Sequence, residues 1–298
     1  MAASSELLFY INGKKVVDKN ADPEEMLLSF LRRKVGLTGS KSGCEGGGCG
    51  ACTVMVSRYD QNQEKVIHYA VTSCLQPIVT LHGAHVVTVE GIGSTKTKLH
   101  PVQERIAKAH GSQCGFCTPG MVMSMYTLLR NKPQPSVEDV REALSGNLCR
   151  CTGYRPIVDG FKTFCGSASG CCQDGACEES DSKDSEISEE LFLRDSFLPL
   201  DPTQDLIFPP ELMIQAQWRS AETLCFRGQR LTLESPSDLS QLLKLKAQHP
   251  EAPLIIGNTN TGPNLLDLGQ NRPLLIYGGR VSELCRLTWS KDGHLVRH

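Results

Sequence analysis

The chain reads as an α+β protein of several domains, and three observations carry that reading. The first 90 or so residues read as short strands with one helix, opening on a hairpin signal, the stretch beyond Gly91 changes to helical spacing, and eight of the 14 cysteines fall into two separate four-sulfur sets. At 298 residues the chain is also longer than one ordinary domain.

Leu7-Leu8-Phe9-Tyr10-Ile11 and Lys15-Val16-Val17 flank Asn12-Gly13, a pair that favours a type I′ hairpin turn. A helix is expected next. Asp22 is placed to cap it, Pro23 suits its first position, Glu25 adds a capping-box-like spacing, and Met26, Leu27, Phe30 and Leu31 form its apolar face. Strands are expected at Thr53 to Tyr59, Val66 to Val71, Ile78 to Leu81 and Val86 to Val89. Beyond Gly91, Pro101 opens a helix through His110. Thr118 to Asn131 forms a second, with Met121, Val122, Met125, Leu128 and Leu129 as its buried stripe, its methionines filling core gaps. Ser136 with Asp139 starts a third, and Arg155 to Phe164 makes a fourth. Four helices on short links predict a bundle.

From Gly166 the composition turns to that of a linker. Between Asp174 and Asp195 nine acidic residues face only Lys183 and Arg194, the signature of a solvated connector. Cys165, Cys171, Cys172 and Cys177 lie at its near edge and read as free thiols rather than a third metal site. A third unit begins near Leu206. It has a helix from Pro236 to His249, a buried-strand run Pro253-Leu254-Ile255-Ile256, and a turn Gly257-Asn258-Thr259-Asn260-Thr261-Gly262 whose backbone N–H groups could face a phosphate. Asp292-Gly293 reads as a turn with a return strand starting at His294.

Cys44, Cys49 and Cys52 have the C-x4-C-x2-C spacing of a plant-type 2Fe–2S ligand set, and Cys74 supplies the distant fourth thiolate. Three sulfurs reaching one small cluster from one loop need a backbone that wraps closely, and Glu45-Gly46-Gly47-Gly48 and Gly50-Ala51 provide small residues there. The second set pairs Cys114 and Cys117 with Cys149 and Cys151. Alone, it also suits a tetrahedral zinc. The neighbouring cluster motif favours a second redox centre instead. Charge is nearly balanced, with 31 Lys+Arg against 33 Asp+Glu, so no basic field implies nucleic acid or an acidic membrane as partner. The N-terminus lacks a basic, signal-like region, and no run of 18 apolar residues spans a bilayer, which makes a cytoplasmic location the expectation.

Several segments together closely resemble the molybdenum hydroxylases, the aldehyde oxidase and xanthine dehydrogenase family. These are Gly50-Ala51-Cys52-Thr53-Val54, Thr88-Val89-Glu90-Gly91-Ile92-Gly93, Gln113-Cys114-Gly115-Phe116-Cys117-Thr118-Pro119-Gly120 and Gly146-Asn147-Leu148-Cys149-Arg150-Cys151-Thr152-Gly153-Tyr154-Arg155-Pro156. Ser5 to Val17 and Lys162 to Cys165 look most like aldehyde oxidase. The resemblance implies a β-grasp 2Fe–2S ferredoxin domain over 1–91, a four-helix-bundle 2Fe–2S domain over 92–165, an acidic linker over 166–205, and an incomplete α/β FAD-binding domain over 206–298. It further implies that electrons pass from a molybdopterin centre through both clusters toward FAD. By the same likeness Gln113 and Cys151 touch the molybdopterin, Leu254, Ile255, Ile256, Gly257, Asn258, Thr259, Asn260 and Thr261 contact FAD, and the assembly is a homodimer. The chain is then the electron-transfer portion of such an enzyme, an isoform or a fragment, and is not expected to be catalytic alone. Two alternatives stand beside it: a zinc- or cluster-binding structural protein, and a small electron-transfer subunit. One departure from the family pattern is Glu45, where glycine is usual; a positive φ there would carry strain.

Overall fold

The computed structural model describes residues 5–61, 63–165, 196–218, 223–259, 274–285, 287–289 and 295–297. Strands β1 (Leu7–Ile11) and β2 (Lys14–Asp18) pair antiparallel. Between them Asn12 and Gly13 take φ of 48° and 78°, the left-handed values that a type I′ turn demands. Helix α1 runs from Leu27–Ser29 into a π-helical stretch, Phe30–Val35, and ends on Gly36 at φ 79°. With β3 (Thr53–Asp60), β4 (Lys65–Thr72) and β5 (His85–Val87) the strands form one mixed sheet of order β2-β1-β5-β3-β4, in which only β1 and β5 run parallel. Leu27, Phe30 and Leu31 pack on Leu7, Phe9, Ile11, Val54, Val56 and Val86, so the sheet curls over the helix.

Three expectations fail in this unit. The helix does not start at Asp22. That carboxylate accepts from the Glu24 amide at 2.9 Å and the Asp22 carbonyl from Glu25, which closes a turn. Met26 then bridges Pro77, and the Leu27 amide donates to the Gln76 carbonyl at 2.7 Å, so contacts with a distant segment delay the helix to Leu27. Ile78–Leu81, expected as a strand, is a 3₁₀ turn. Thr80 donates through its hydroxyl to the Pro77 carbonyl at 2.6 Å, and all four residues are buried. An apolar run of four reads equally as a buried strand or a buried turn. The expected strand to Val89 also stops at Val87, because Val89–Ile92 is a short helix, α2.

The helical unit follows the sequence closely. It holds α3 (Pro101–Lys108), α4 (Thr118–Asn131), α5 (Val137–Leu144) and α6 (Arg155–Lys162). The first and last are each shorter than expected. His110 sits at φ 54°, beyond the reach of a helix. Ser136 and Asp139 form a complete capping box on α5. Met121, Met123 and Met125 are fully buried, as core filling requires, and they pack with Met55 and Val87 from the sheet. Thus α4 joins the bundle to the back of the sheet through one continuous apolar core.

Residues 196–218 then cross both units. Arg105, buried between the rings of Phe164 and Phe197, donates to the Leu198 carbonyl at 2.9 Å, and Glu104 accepts from the Leu198 amide. Asp205 meets His100 and Arg130. The chain next enters α7 (Pro210–Trp218), where Phe208 and Leu212 pack on Leu8, and Glu211 accepts from Tyr10 and Lys15.

The last unit has a sheet of order β6-β7-β9-β8, built from β6 (Leu224–Arg227), β7 (Thr232–Ser235), β8 (Leu254–Ile255) and β9 (Leu274–Tyr277), with α8 (Leu239–Gln248). The helix starts three residues after Pro236 because Asp238 caps it, accepting from the Gln241 amide. The expected run Pro253 to Ile256 shrinks to two strand residues, and Leu254 and Ile256 are exposed beside buried Ile255. That alternation belongs to a strand covered on one face. A hairpin of β10 (Leu287–Trp289) and β11 (Leu295–Arg297) closes the described chain. Asp292, Gly293, most of the acidic linker with Cys171, Cys172 and Cys177, and also Asn260 and Thr261 lie outside the described residues. Among the described residues no helix is long and apolar enough to cross a membrane.

Candidate metal centres and the junction between them

The first cysteine set is built on the loop from α1 to β3. Arg32 holds that loop to the helix by donating to the carbonyls of Thr38 and Ser40 at 2.8 and 2.9 Å, and the Lys41 amide closes it on the Ala51 carbonyl. Cys74 arrives separately, on a 3₁₀ turn that follows β4. There the Ser73 hydroxyl donates to the Cys52 carbonyl at 2.7 Å and locks the two segments together. The four sulfurs form two pairs: Cys44 lies within hydrogen-bonding reach of Cys49, and Cys52 of Cys74. Cys44 is exposed, Cys49 half-buried, and Cys52 and Cys74 are buried.

Backbone amides converge on these sulfurs. Gly46 donates to Cys44 Sγ at 3.4 Å, and Gly48 and Cys49 add their N–H groups. Burial pushes the Cys44 thiol up, but these donors outweigh it and hold the thiol below its ordinary value. Donation from Cys74 brings Cys52 down to about 6 against its burial, and the same contact pushes Cys74 up. Gly47, at φ 78°, takes the left-handed conformation that favours glycine, and a Cβ there would push the Leu75 side chain aside from 2.5 Å. Glu45 does take a positive φ, 50°, and its carboxylate accepts from the Ser42 hydroxyl at 2.5 Å.

The second set lies at two loop–helix junctions of the bundle. Cys114 and Cys117 precede α4, while Cys149 and Cys151 lie between α5 and α6. Again the sulfurs pair, Cys114 with Cys151 and Cys117 with Cys149. Tyr154, at φ 68° just before α6, accepts from the Cys149 amide through its hydroxyl at 3.0 Å. Burial raises the Cys149 thiol, yet the Thr152 hydroxyl 3.2 Å away and neighbouring amides bring it down to about 7. Burial, with donation to Cys149, pushes Cys117 up to about 12. Gln113 and Cys151 are exposed on the outer side of this site.

Two pairs of thiols suit a binuclear cluster, which takes two protein ligands on each iron. Among the described residues no three His, Cys, Asp or Glu side chains gather as they would around a single ion. The eight cysteines of the two sets are free of disulfides.

The two loops meet directly. The Leu148 amide donates to the Cys49 carbonyl at 2.9 Å, and Asn147 Nδ2 donates to the Gly50 carbonyl at 3.1 Å. Ser124 on α4 holds the other end of the Asn147 amide at 2.7 Å. Sequence reasoning did not single out Asn147, Ser124, Thr152 or Tyr154 as site residues, although three of the four lie inside the motif read there.

Residues 9–78 match the family described as "2Fe-2S iron-sulfur cluster binding domain", and residues 88–162 match "[2Fe-2S] binding domain". Aldehyde oxidase 1 of Bos taurus is 54% identical over 98% of this chain, and aldehyde oxidase 2 of Macaca fascicularis 56% identical over 97%. The chain belongs to the molybdenum hydroxylase family. It corresponds to an N-terminal portion of the aldehyde oxidases and spans 23% of the bovine protein's length and 22% of the macaque one's. Among solved structures, quinoline 2-oxidoreductase from Pseudomonas putida 86 is 40% identical, with a TM-score of 0.45 over 52% of this chain and 89% of that one. Aldehyde oxidoreductase from Desulfovibrio gigas is 38% identical, with a TM-score of 0.47 over 52% of this chain and 16% of that one. As a molybdenum hydroxylase chain, the protein carries two 2Fe–2S binding domains, and the helical one lies against the sheet of the other.

At the far end of the chain, Ile255 is buried and ends strand β8, with Gly257 and Thr259 exposed beyond it. Asn258 is buried. Its Nδ2 lies 3.9 Å from Met26 Sδ, and its Oδ1 has no hydrogen-bond partner.

Proposed function

We propose that this chain is the electron-carrying portion of an aldehyde-oxidase-like molybdenum hydroxylase. One cluster is held by Cys44, Cys49, Cys52 and Cys74, the other by Cys114, Cys117, Cys149 and Cys151. The observation that carries the reading is the pairing of sulfurs, two and two at each site, on loops that touch. When bound, the clusters supply one-electron carriers. The protein supplies thiolates, amide donors that stabilise negative sulfur, and burial that keeps water from Cys52, Cys74 and Cys149. Loading requires deprotonation of the eight thiols, so it weakens as pH falls.

In this reading electrons enter at the helical domain, where exposed Gln113 and Cys151 face a molybdopterin, and leave toward FAD. The FAD loop is Leu254 to Thr261. It is supported by Gly257, Asn258 and Thr259, which follow the carboxyl end of a strand in a parallel pair, where open α/β sheets bind ligands, and by the unpartnered Asn258 Oδ1. The test is anaerobic reconstitution of the whole chain with iron and sulfide. About four irons per chain and two distinct paramagnetic signals on reduction are expected. Zinc at the second cysteine set under those conditions would refute the two-cluster reading.

A further inference from the structure

Asn147 sits where the two cysteine loops meet, and no ligand role falls to it. It is 6% exposed, and both polar groups of its side chain are engaged, one across the junction and one within the helical unit. Nδ2 donates to the Gly50 carbonyl in the first loop, and Oδ1 accepts from Ser124, itself 4% exposed on α4. Its own amide donates to the Leu144 carbonyl at 2.9 Å, which fixes it to the end of α5. The next residue, Leu148, donates to the carbonyl of Cys49, and the one after that is Cys149. A single hydrogen bond therefore joins the backbone of a sulfur-bearing residue in one loop to the residue preceding a sulfur-bearing residue in the other.

The contact tolerates no looser packing. A Cβ at Gly50 would come within 2.3 Å of the Gly146 carbonyl oxygen, and one at Gly120 within 2.1 Å of the Gly50 carbonyl oxygen. Glycine at both positions lets the backbones touch, but contact alone does not set register. The directional bonds of Asn147 do.

We infer that Asn147, held by Ser124, is a positioning residue that sets the register of the Leu148–Cys49 bond and with it the electronic contact between the two clusters. The inference rests on the two-cluster reading. In the exchange concerned one electron leaves the reduced cluster and enters the oxidised one; no bond forms or breaks, and no proton has to move.

The experiment uses the whole chain, loaded with iron and sulfide, as Asn147→Asp, Ser124→Ala and Ser124→Thr variants. Iron content is measured first, and a failure to load both clusters in the unmodified chain would count against the two-cluster reading itself. In loaded Asn147→Asp a carboxylate oxygen faces the Gly50 carbonyl in place of a donor. The expected results are weaker magnetic interaction between the two reduced clusters, several-fold faster deuterium exchange at the Leu148 amide, and several-fold slower electron equilibration after partial reduction. The clusters' separate signals should keep their shape. Ser124→Ala should move all three readouts the same way to a smaller extent, and it keeps the test open if Asn147→Asp does not fold. Ser124→Thr should restore them. A structural role alone would lower thermal stability and leave the magnetic interaction and the electron exchange unmoved in loaded protein. That result would overturn the inference.

Discussion

Replacing Glu45 separates backbone strain from charge at the first cysteine loop. Its φ of 50° lies in the left-handed region, which costs a side-chain-bearing residue roughly 1–2 kcal/mol. Glu45→Gly removes that cost but gives the unfolded chain more freedom, worth about 0.4–1 kcal/mol in the opposite direction. It also deletes the exposed bond from Ser42, worth about 0.5 kcal/mol. These terms nearly cancel, so the stability of the loop should change by less than about 1 kcal/mol. Charge does not cancel. For scale, a carboxylate taken at about 8 Å from a negative cluster in a water-like dielectric contributes about 0.5 kcal/mol, or about 20 mV for a one-electron couple. Glu45→Gln keeps the side chain and the strain and removes only the charge. Both variants should therefore raise the potential of the first cluster by a similar amount in a redox titration followed by paramagnetic resonance. The second cluster should not respond, and the shift should shrink as salt is added. Iron should be lost more slowly from the glycine variant than from the glutamine one, because only the former relaxes the backbone. Equal potentials in all three proteins, or a shift shared by both clusters, would refute the reasoning.

Gly120→Ala should weaken the junction by about 1–3 kcal/mol, since its Cβ would overlap the Gly50 carbonyl oxygen at 2.1 Å; chemical denaturation measures it, and a neutral result would mean the loops can part without cost. Ser136→Ala should cost about 1 kcal/mol by removing the cap of α5, read as a lower urea midpoint with an unchanged slope. Asp139 is held down to about 2 by donation from Lys132 and then from Ser136, below its unfolded value. Its contribution is thus present above the ordinary carboxylate range and lost as pH falls toward 2, a loss that Lys132→Ala should reduce. His85 accepts from the Gly13 amide through Nε2, and burial, then Arg130 and His68, depress it to about 4. The unfolded chain therefore binds more protons between about pH 6.5 and 4, so stability should be full above that window and fall within it. His85→Gln should flatten the profile there, and an unchanged profile would place the acid sensitivity elsewhere.

Features decided by neighbours in sequence were legible. Asn12-Gly13 specifies its turn, Ser136 and Asp139 their cap, and the spacing of Met121, Val122 and Met125 the inner face of α4, because each depends on residues within a few positions. The pairing of Ile78–Leu81 and the start of α1 were not, since the bridge from Met26 to Pro77 and the bond from Leu27 to Gln76 cross some fifty residues. The cysteine sets were visible as spacing, but which sulfur lies beside which is a matter of three-dimensional approach. Asn147 stood inside a motif read for its cysteines. Nothing in its local sequence separates a surface amide from one buried between two loops.

The core under β1 and α1 has a consequence for how the protein is made. Leu224, Phe226, Leu231, Leu233, Ile255 and Leu275 lie in the same apolar cluster as Leu7, Phe9, Leu27 and Leu31. A chain emerging from the ribosome at about 5–20 residues per second exposes the first cysteine loop at least about eight seconds before those later residues appear. For that interval the nascent domain lacks part of its own packing while Cys44, Cys49 and Cys52 are already outside. Insertion of iron and sulfide into the first loop thus competes with completion of the core around it. Supply of the inorganic parts during synthesis would then set the yield of folded protein, and iron starvation should lower the amount of soluble chain as well as its colour.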